Sequence, residues 1–210
     1  MSKADRTREL ILQSAIEEFA QVGYINASTS GIAHRAGISK GLIFYHYESK
    51  QALLLAALDY GVGFFERLLF ANPEFAEIDD IFERIMFIGR MKYDFFKKYY
   101  QINTMILDAY KLSDNPEYPG VREYFERVIA RSVPRFFAGV DTSKFRHTLS
   151  PEETVSFIID VMIFISRRFA TTIDFRNDPQ CAHENIHVNF AKMERYVELI
   201  KYGVYRIDLS

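Results

Sequence analysis

The stretch Thr29 to Tyr47, T-S-G-I-A-H-R-A-G-I-S-K-G-L-I-F-Y-H-Y, decides how the rest of the chain is read. It holds two apolar-patterned segments, Thr29 to Ala36 and Lys40 to Tyr47, each too short to be a stable helix alone. Gly37, Ile38 and Ser39 separate them. Ile32 and Ala33 give the first segment a buried face, Gly37 is free to adopt positive φ, Ile38 anchors the turn and Ser39 caps the second segment. Two short helices joined in this way form a helix-turn-helix. The second would offer its N-terminal end, Lys40 and Gly41, to the floor of a DNA major groove, and its free backbone N–H groups favour phosphate.

The segments on either side are helical too. Proline and glycine are sparse, 6 and 10 in 210 residues, and the runs between them carry the 3.6-residue apolar period rather than strand alternation. An all-α fold of about nine helices is expected. A first helix over Ala4 to Val22 places Leu12, Ala15, Ile16 and Phe19 on one face and stops at Gly23. Ser49 caps a helix running to about Leu69, which Asn72 and Pro73 end. Glu77 to Leu112 is one long helix or two joined near Tyr100, and Pro116 and Pro119 break it. Val121 to Phe137 follows. Ser150-Pro151-Glu152-Glu153 is the strongest start signal in the chain, a capping box with proline at the first helical position, opening a helix to about Thr172. The last helix, Glu184 to Arg206, carries apolar residues at Ile186, Phe190, Met193, Val197, Ile200, Val204 and Ile207, a seam over three heptads.

Composition excludes several classes. With 49% hydrophobic residues the chain can fill a core, so general disorder is excluded, and 210 residues make one large domain or a small plus a medium one. Lone Cys181 forms no internal disulfide and points to a reducing compartment. Met1 to Arg8 show no apolar signal region, and no apolar run reaches the roughly 18 residues of a membrane span, so a cytoplasmic location is expected. Net charge is −2, with residues 1 to 50 at +1 and the remainder at −3, so any DNA binding must be local. Lys3, Arg6 and Arg8 offer either an arm of phosphate contacts or a solvated face.

The run S-T-S-G-I-A-H-R-A-G-I-S-K-G-L-I-F-Y-H-Y-E-S-K-Q-A-L, Ser28 to Leu53, preceded by F-A-Q-V-G-Y at Phe19 to Tyr24, resembles the TetR family of bacterial transcriptional regulators. The resemblance covers about the first 55 residues. It implies a DNA-binding domain over residues 1–48 and a helical effector-binding and dimerisation domain over 49–210. The expected partners are an operator in double-stranded DNA, a small-molecule effector and a second copy of the chain, with no membrane and no cofactor. The expected DNA-facing residues are Thr29, Ser30, Lys40, Gly41, Leu42, Phe44, Tyr45, His46 and Lys50. Two of them depart from the family pattern. Leu42 stands where a polar residue is common and Phe44 where a tyrosine is, so neither donates a hydrogen bond. Facing DNA, they would meet a thymine methyl group or pack on sugar, leaving phosphate to Tyr45, His46, Lys50, Thr29 and Ser30, and base reading to Lys40.

In the larger domain, Val155 to Ile165 is apolar nearly all round, as a helix buried between its own core and a partner subunit would be. With the heptad helix it would build an intersubunit four-helix bundle, with Met162, Ile163, Phe190, Met193, Val197, Ile200 and Val204 at the interface. Asp160 lies inside the apolar run, paired across the dimer or facing a ligand. Phe64, Phe65, Phe95, Phe96 and Tyr99 are candidate walls of an effector pocket suited to an apolar or aromatic molecule, against the plainer reading of core packing. Two other readings compete. His183-Glu184-Asn185-Ile186-His187 matches H-E-x-x-H, the pattern of a zinc hydrolase, but no third ligand follows at a recognised spacing, and neither an enzyme nor a metal site is expected. The other is a constitutive DNA-binding protein without an effector.

Overall fold

A computed structural model describes residues 3–174, 176 and 179–205, with the side chains of Lys3, Pro179, Gln180 and His183 outside the described set. Ten helices follow in order: α1 (Lys3–Asn26), α2 (Thr29–Ala36), α3 (Lys40–His46), α4 (Lys50–Phe70), α5 (Pro73–Glu77), α6 (Ile81–Lys98), α7 (Tyr100–Leu112), α8 (Pro119–Phe136), α9 (Pro151–Ala170) and α10 (Pro179–Val204). The fold is all-α.

The ends follow the local chemistry. Gly23, at φ 77° and ψ 158°, interrupts α1 where a stop was expected, and one more turn follows it. Asn72 and Pro73 end α4 but also start α5: the Asn72 side chain accepts from the Glu74 N–H at 3.0 Å and proline occupies the first turn. The long aromatic stretch divides at Tyr99, where the Asn103 side-chain amide donates to the carbonyls of Phe95 and Tyr99 and so ties the start of α7 to the end of α6. At α9 the capping box forms in both directions, Glu153 N–H to Ser150 Oγ at 3.2 Å and Ser150 N–H to Glu153 Oε2 at 2.9 Å. Ile207, the last position of the expected seam, lies outside the described residues.

Contacts divide the chain into two compact units, Met1–Leu68 with Phe95–Phe125, and Leu69–Asp94 with Glu126–Ser210. In the first, α1 packs on α7 and α2, and α2 on α3. Ile11, Phe19, Ile32, Ile43, Leu53, Leu58 and Met105 are fully buried there. In the second, Ile81, Phe82, Ile85, Phe145, Ile158, Met162, Val197 and Tyr205 form the core. Asp80 is buried beside it and organises that end of the unit. Its Oδ1 accepts from the backbone N–H groups of Phe82 and Glu83, and its Oδ2 from the Tyr205 hydroxyl at 2.8 Å and the Lys144 ammonium at 3.4 Å. Arg84, also buried, donates to the carbonyls of Ile78, Phe136 and Ala138.

Candidate nucleic-acid interface

The helix-turn-helix is built by caps at three points. Ser28 Oγ accepts from the Gly31 N–H at 2.9 Å and opens α2. Gly37, at φ 65° and ψ 31°, closes it in the left-handed conformation, with Ile38 N–H returning to the Ala33 carbonyl at 3.0 Å. Ser39 Oγ then accepts from the Leu42 N–H at 3.3 Å, taking one of the N–H groups expected to face phosphate. Arg35 ties α2 to α1, its guanidinium reaching Glu17, Glu18 and Gln21. These exposed pairs fix orientation more than they add stability.

With Ile43 buried, α3 turns Lys40, Gly41, Phe44 and Tyr45 to solvent, with Leu42 and His46 half-exposed. Tyr45 is 81% exposed and its ring packs edge-on against His46 at 5.1 Å. The Lys40 ammonium lies 5.8 Å from the centre of the Phe44 ring. Ser30 is exposed and Thr29 half-exposed at the start of α2. Arg6 and Arg8 lie exposed on α1, a helix and not a free arm.

Lys50 departs from expectation. Its ammonium donates to the carbonyls of Tyr24 at 2.8 Å, Ala27 at 2.9 Å and Ile25 at 3.3 Å, and sits 4.5 Å from the centre of the Tyr24 ring. All three donors are engaged by the end of α1, so Lys50 holds the helix-turn-helix to α4 and does not face phosphate. No sequence signal marks this, because the acceptors are backbone carbonyls brought close only by the fold. Replacing Lys50 with methionine is expected to destabilise the protein by about 1–2 kcal/mol in urea unfolding. The salt dependence of its DNA affinity should stay unchanged, whereas loss of a phosphate contact would lower the log–log slope by about 0.9.

Four of the candidate effector residues come together. Phe64 lies 5.7 Å from Phe95 and 4.7 Å from Tyr99, and Phe65 lies 5.5 Å from Phe95, ring against ring. Phe65 and Phe95 are buried, whereas Phe64, Phe96 and Tyr99 keep half-exposed edges. Asp160 belongs to the other unit, exposed on α9 at an open groove of about 610 Å³ lined by Val133, Phe137, Val155, Ile159 and Ile163.

Most of the residues expected at a subunit interface are taken up within the chain itself. Met162 and Val197 lie in the chain's own core, Met193, Ile200 and Val204 pack against it, and Phe190 meets Tyr93 at 5.9 Å. Among the apolar side chains left exposed are Phe157 and Phe164 of α9, and Val188, Leu199 and Tyr202 of α10, with Tyr196 exposed on a neighbouring side of α10. At spacings of 7, and of 11 and 14 from Val188, each set lies on one helix face.

Of the H-E-x-x-H pattern, the His183 side chain lies outside the described residues, and His187 stands 6.4 Å from the Tyr93 ring. Among the described residues no three of His, Cys, Asp or Glu converge on a metal site. None of their helices is long and apolar enough to cross a membrane.

A capped α2–turn–α3 with its reading face open defines a helix-turn-helix DNA-binding domain. Residues 11–57 match the sequence model of the bacterial regulatory proteins, tetR family, so this N-terminal segment is similar to the members of that family. It is 41% identical over 56 residues to the uncharacterized HTH-type transcriptional regulator YerO of Bacillus subtilis, covering 27% of this chain and 19% of that one. Over 57 residues it is 33% identical to the HTH-type transcriptional regulator SrpR of Pseudomonas putida, 27% of each chain. The chain thus spans about a fifth to a quarter of the length of these curated relatives. Two solved structures extend the likeness of fold to nearly the whole chain. A TetR-family regulator from Rhodococcus sp. superposes with a TM-score of 0.69 at 16% identity, over 93% of this chain and 98% of that one. A regulator from Saccharomonospora viridis in complex with choline gives 0.62 at 20%, over 97% and 100%. None of these relatives supports the zinc-hydrolase alternative.

Proposed function

We propose that the protein is a homodimeric, ligand-responsive transcriptional repressor, acting in the cytoplasm, that places α3 of each protomer in one half-site of a palindromic operator. The observation that carries this is the tetR-family helix-turn-helix at residues 11–57 with Lys40, Phe44 and Tyr45 open to solvent on α3. Residues 1–48 serve as the DNA-reading part and 49–210 as the effector and dimerisation part. The exposed faces of α9 and α10 supply the dimer contact, with Phe157 and Phe164 on the first helix and Leu199 and Tyr202 on the second.

The effector would be a small apolar or aromatic molecule lying against the free edges of Phe64 and Tyr99, and the choline-bound fold relative supports a small-molecule site in this architecture. Coupling to DNA runs along one helix. Phe64 and Phe65 stand on α4, about 21 Å from Lys50 at its start, which is bonded to the end of α1. A ligand that binds one position of α4 better than another would shift the reading head through that tie.

The test is a titration of the purified protein against the DNA flanking its own gene and against unrelated DNA, at two salt concentrations. Saturable preference for the flanking DNA, weakening steeply with salt, is expected. No preference there or in a selection from random-sequence duplexes would overturn the reading. Lys40→Ala should weaken operator binding by roughly tenfold and leave the dimer intact in sedimentation. Unchanged affinity would remove Lys40 from the interface.

A further inference from the structure

The open face of α3 carries an exposed phenyl ring, that of Phe44, one turn from Lys40. Of its seven residues, Ile43 is spent on the core, Lys40 is the cation turned outward, and Phe44 is a ring 45% exposed with no hydroxyl. Lys40 and Phe44 are one helical turn apart on the same side, and the ammonium lies 5.8 Å from the ring centre. Among the described contacts of Phe44 with rings and charges, that cation is its partner.

Given operator binding by α3, we infer that Lys40 and Phe44 act as one specificity element. Phe44 covers the 5-methyl group of a thymine, and Lys40 donates to O6 and N7 of a guanine one or two base-pair steps away. The major groove presents one hydrocarbon group, the thymine methyl, and an exposed ring gains by removing it from water. A phosphate offers such a ring nothing, because Phe44 has no donor. Sugar lies at the groove wall and not at the floor, where the same helix side carries Lys40. Residues one helical turn apart on the same side of α3 reach bases that are near neighbours in the groove. Tyr45, on the next helix side, keeps its hydroxyl for phosphate.

The experiment starts from the duplex the full-length protein selects out of a random-sequence library. Each thymine is replaced singly by deoxyuridine, which lacks the 5-methyl group, and each guanine by 7-deazaguanine, which lacks N7. One thymine per half-site is expected to lose affinity roughly threefold to tenfold, within two base pairs of a guanine whose replacement also weakens binding. In Phe44→Ala that thymine should no longer discriminate between the two bases, and in Lys40→Ala the guanine should not. Circular dichroism checks that the exposed-site variants fold, and the base replacements act on DNA alone. Every uracil duplex binding within twofold of its thymine parent would overturn the inference while leaving operator binding in place. So would a uracil effect that persists in Phe44→Ala. Failure to select any sequence would remove the operator reading itself, and this inference with it.

Discussion

Replacing Asp80 with alanine is expected to cost about 3 kcal/mol of stability, the largest effect foreseen for a single polar side chain in the protein. The carboxylate caps α6 through the N–H groups of Phe82 and Glu83 while its other oxygen receives the Tyr205 hydroxyl and the Lys144 ammonium. Its removal withdraws a cap and leaves a buried tyrosine hydroxyl without an acceptor. Burial pushes the Asp80 carboxyl up, but the Tyr205 hydrogen bond, the two backbone N–H groups and the Lys201 charge outweigh it and hold the group below the usual carboxylate range. The sign follows from linkage. A carboxyl with a lower pKa folded than unfolded adds stability that is fully present above the unfolded value of about 3.9 and is lost as pH falls through the folded one. The unfolding midpoint of the wild type should therefore drop more steeply, as pH falls below about 4, than that of Asp80→Asn, which keeps a side-chain oxygen for the cap and cannot ionise. Parallel curves for the two proteins would show that Asp80 does not contribute to acid sensitivity.

Leu199→Glu is expected to dissociate the proposed dimer, raising its dissociation constant at least a hundredfold, because it sets a charge in the middle of an apolar contact. Leu199 is 70% exposed on α10, on the face shared with Val188 and Tyr202, and Phe164 of α9 is 67% exposed. Operator affinity should fall with it, since a monomer holds one half-site where a dimer holds two. Val197→Ala makes the contrast. Two residues away but buried against Ile158 and Met162, it should lower the unfolding midpoint and leave the oligomeric state alone. Sedimentation velocity separates the two outcomes, and a Leu199→Glu protein that remained dimeric would place the interface elsewhere.

Much of the helical framework was legible because its signals act within a few residues. Gly37 with Ser39 and Ser150 with Glu153 each fix a helix end, and Gly23 kinks α1, by hydrogen bonds or backbone sterics that do not depend on distant parts of the chain. Asn72-Pro73 was harder, because an N-cap and a proline stop the helix before them and start the one after by the same chemistry. The division at Tyr99 matches one of two readings, a single helix or two joined near Tyr100, and its support, the Asn103 amide bonded to two carbonyls, depends on the turn already being broken.

The sequence by itself determined the all-helical class and the helix-turn-helix, since Ile32, Ala33 and their neighbours follow the helical period that assigns inside and outside. Only the tertiary structure decided what Lys50 bonds to and which face of α10 stays exposed. A lysine at a helix start finds phosphate or carbonyl equally well until packing brings the end of α1 within 3 Å of it. A heptad seam states that a helix face is buried, and whether its own core or a second subunit buries it depends on where α6 and α9 lie.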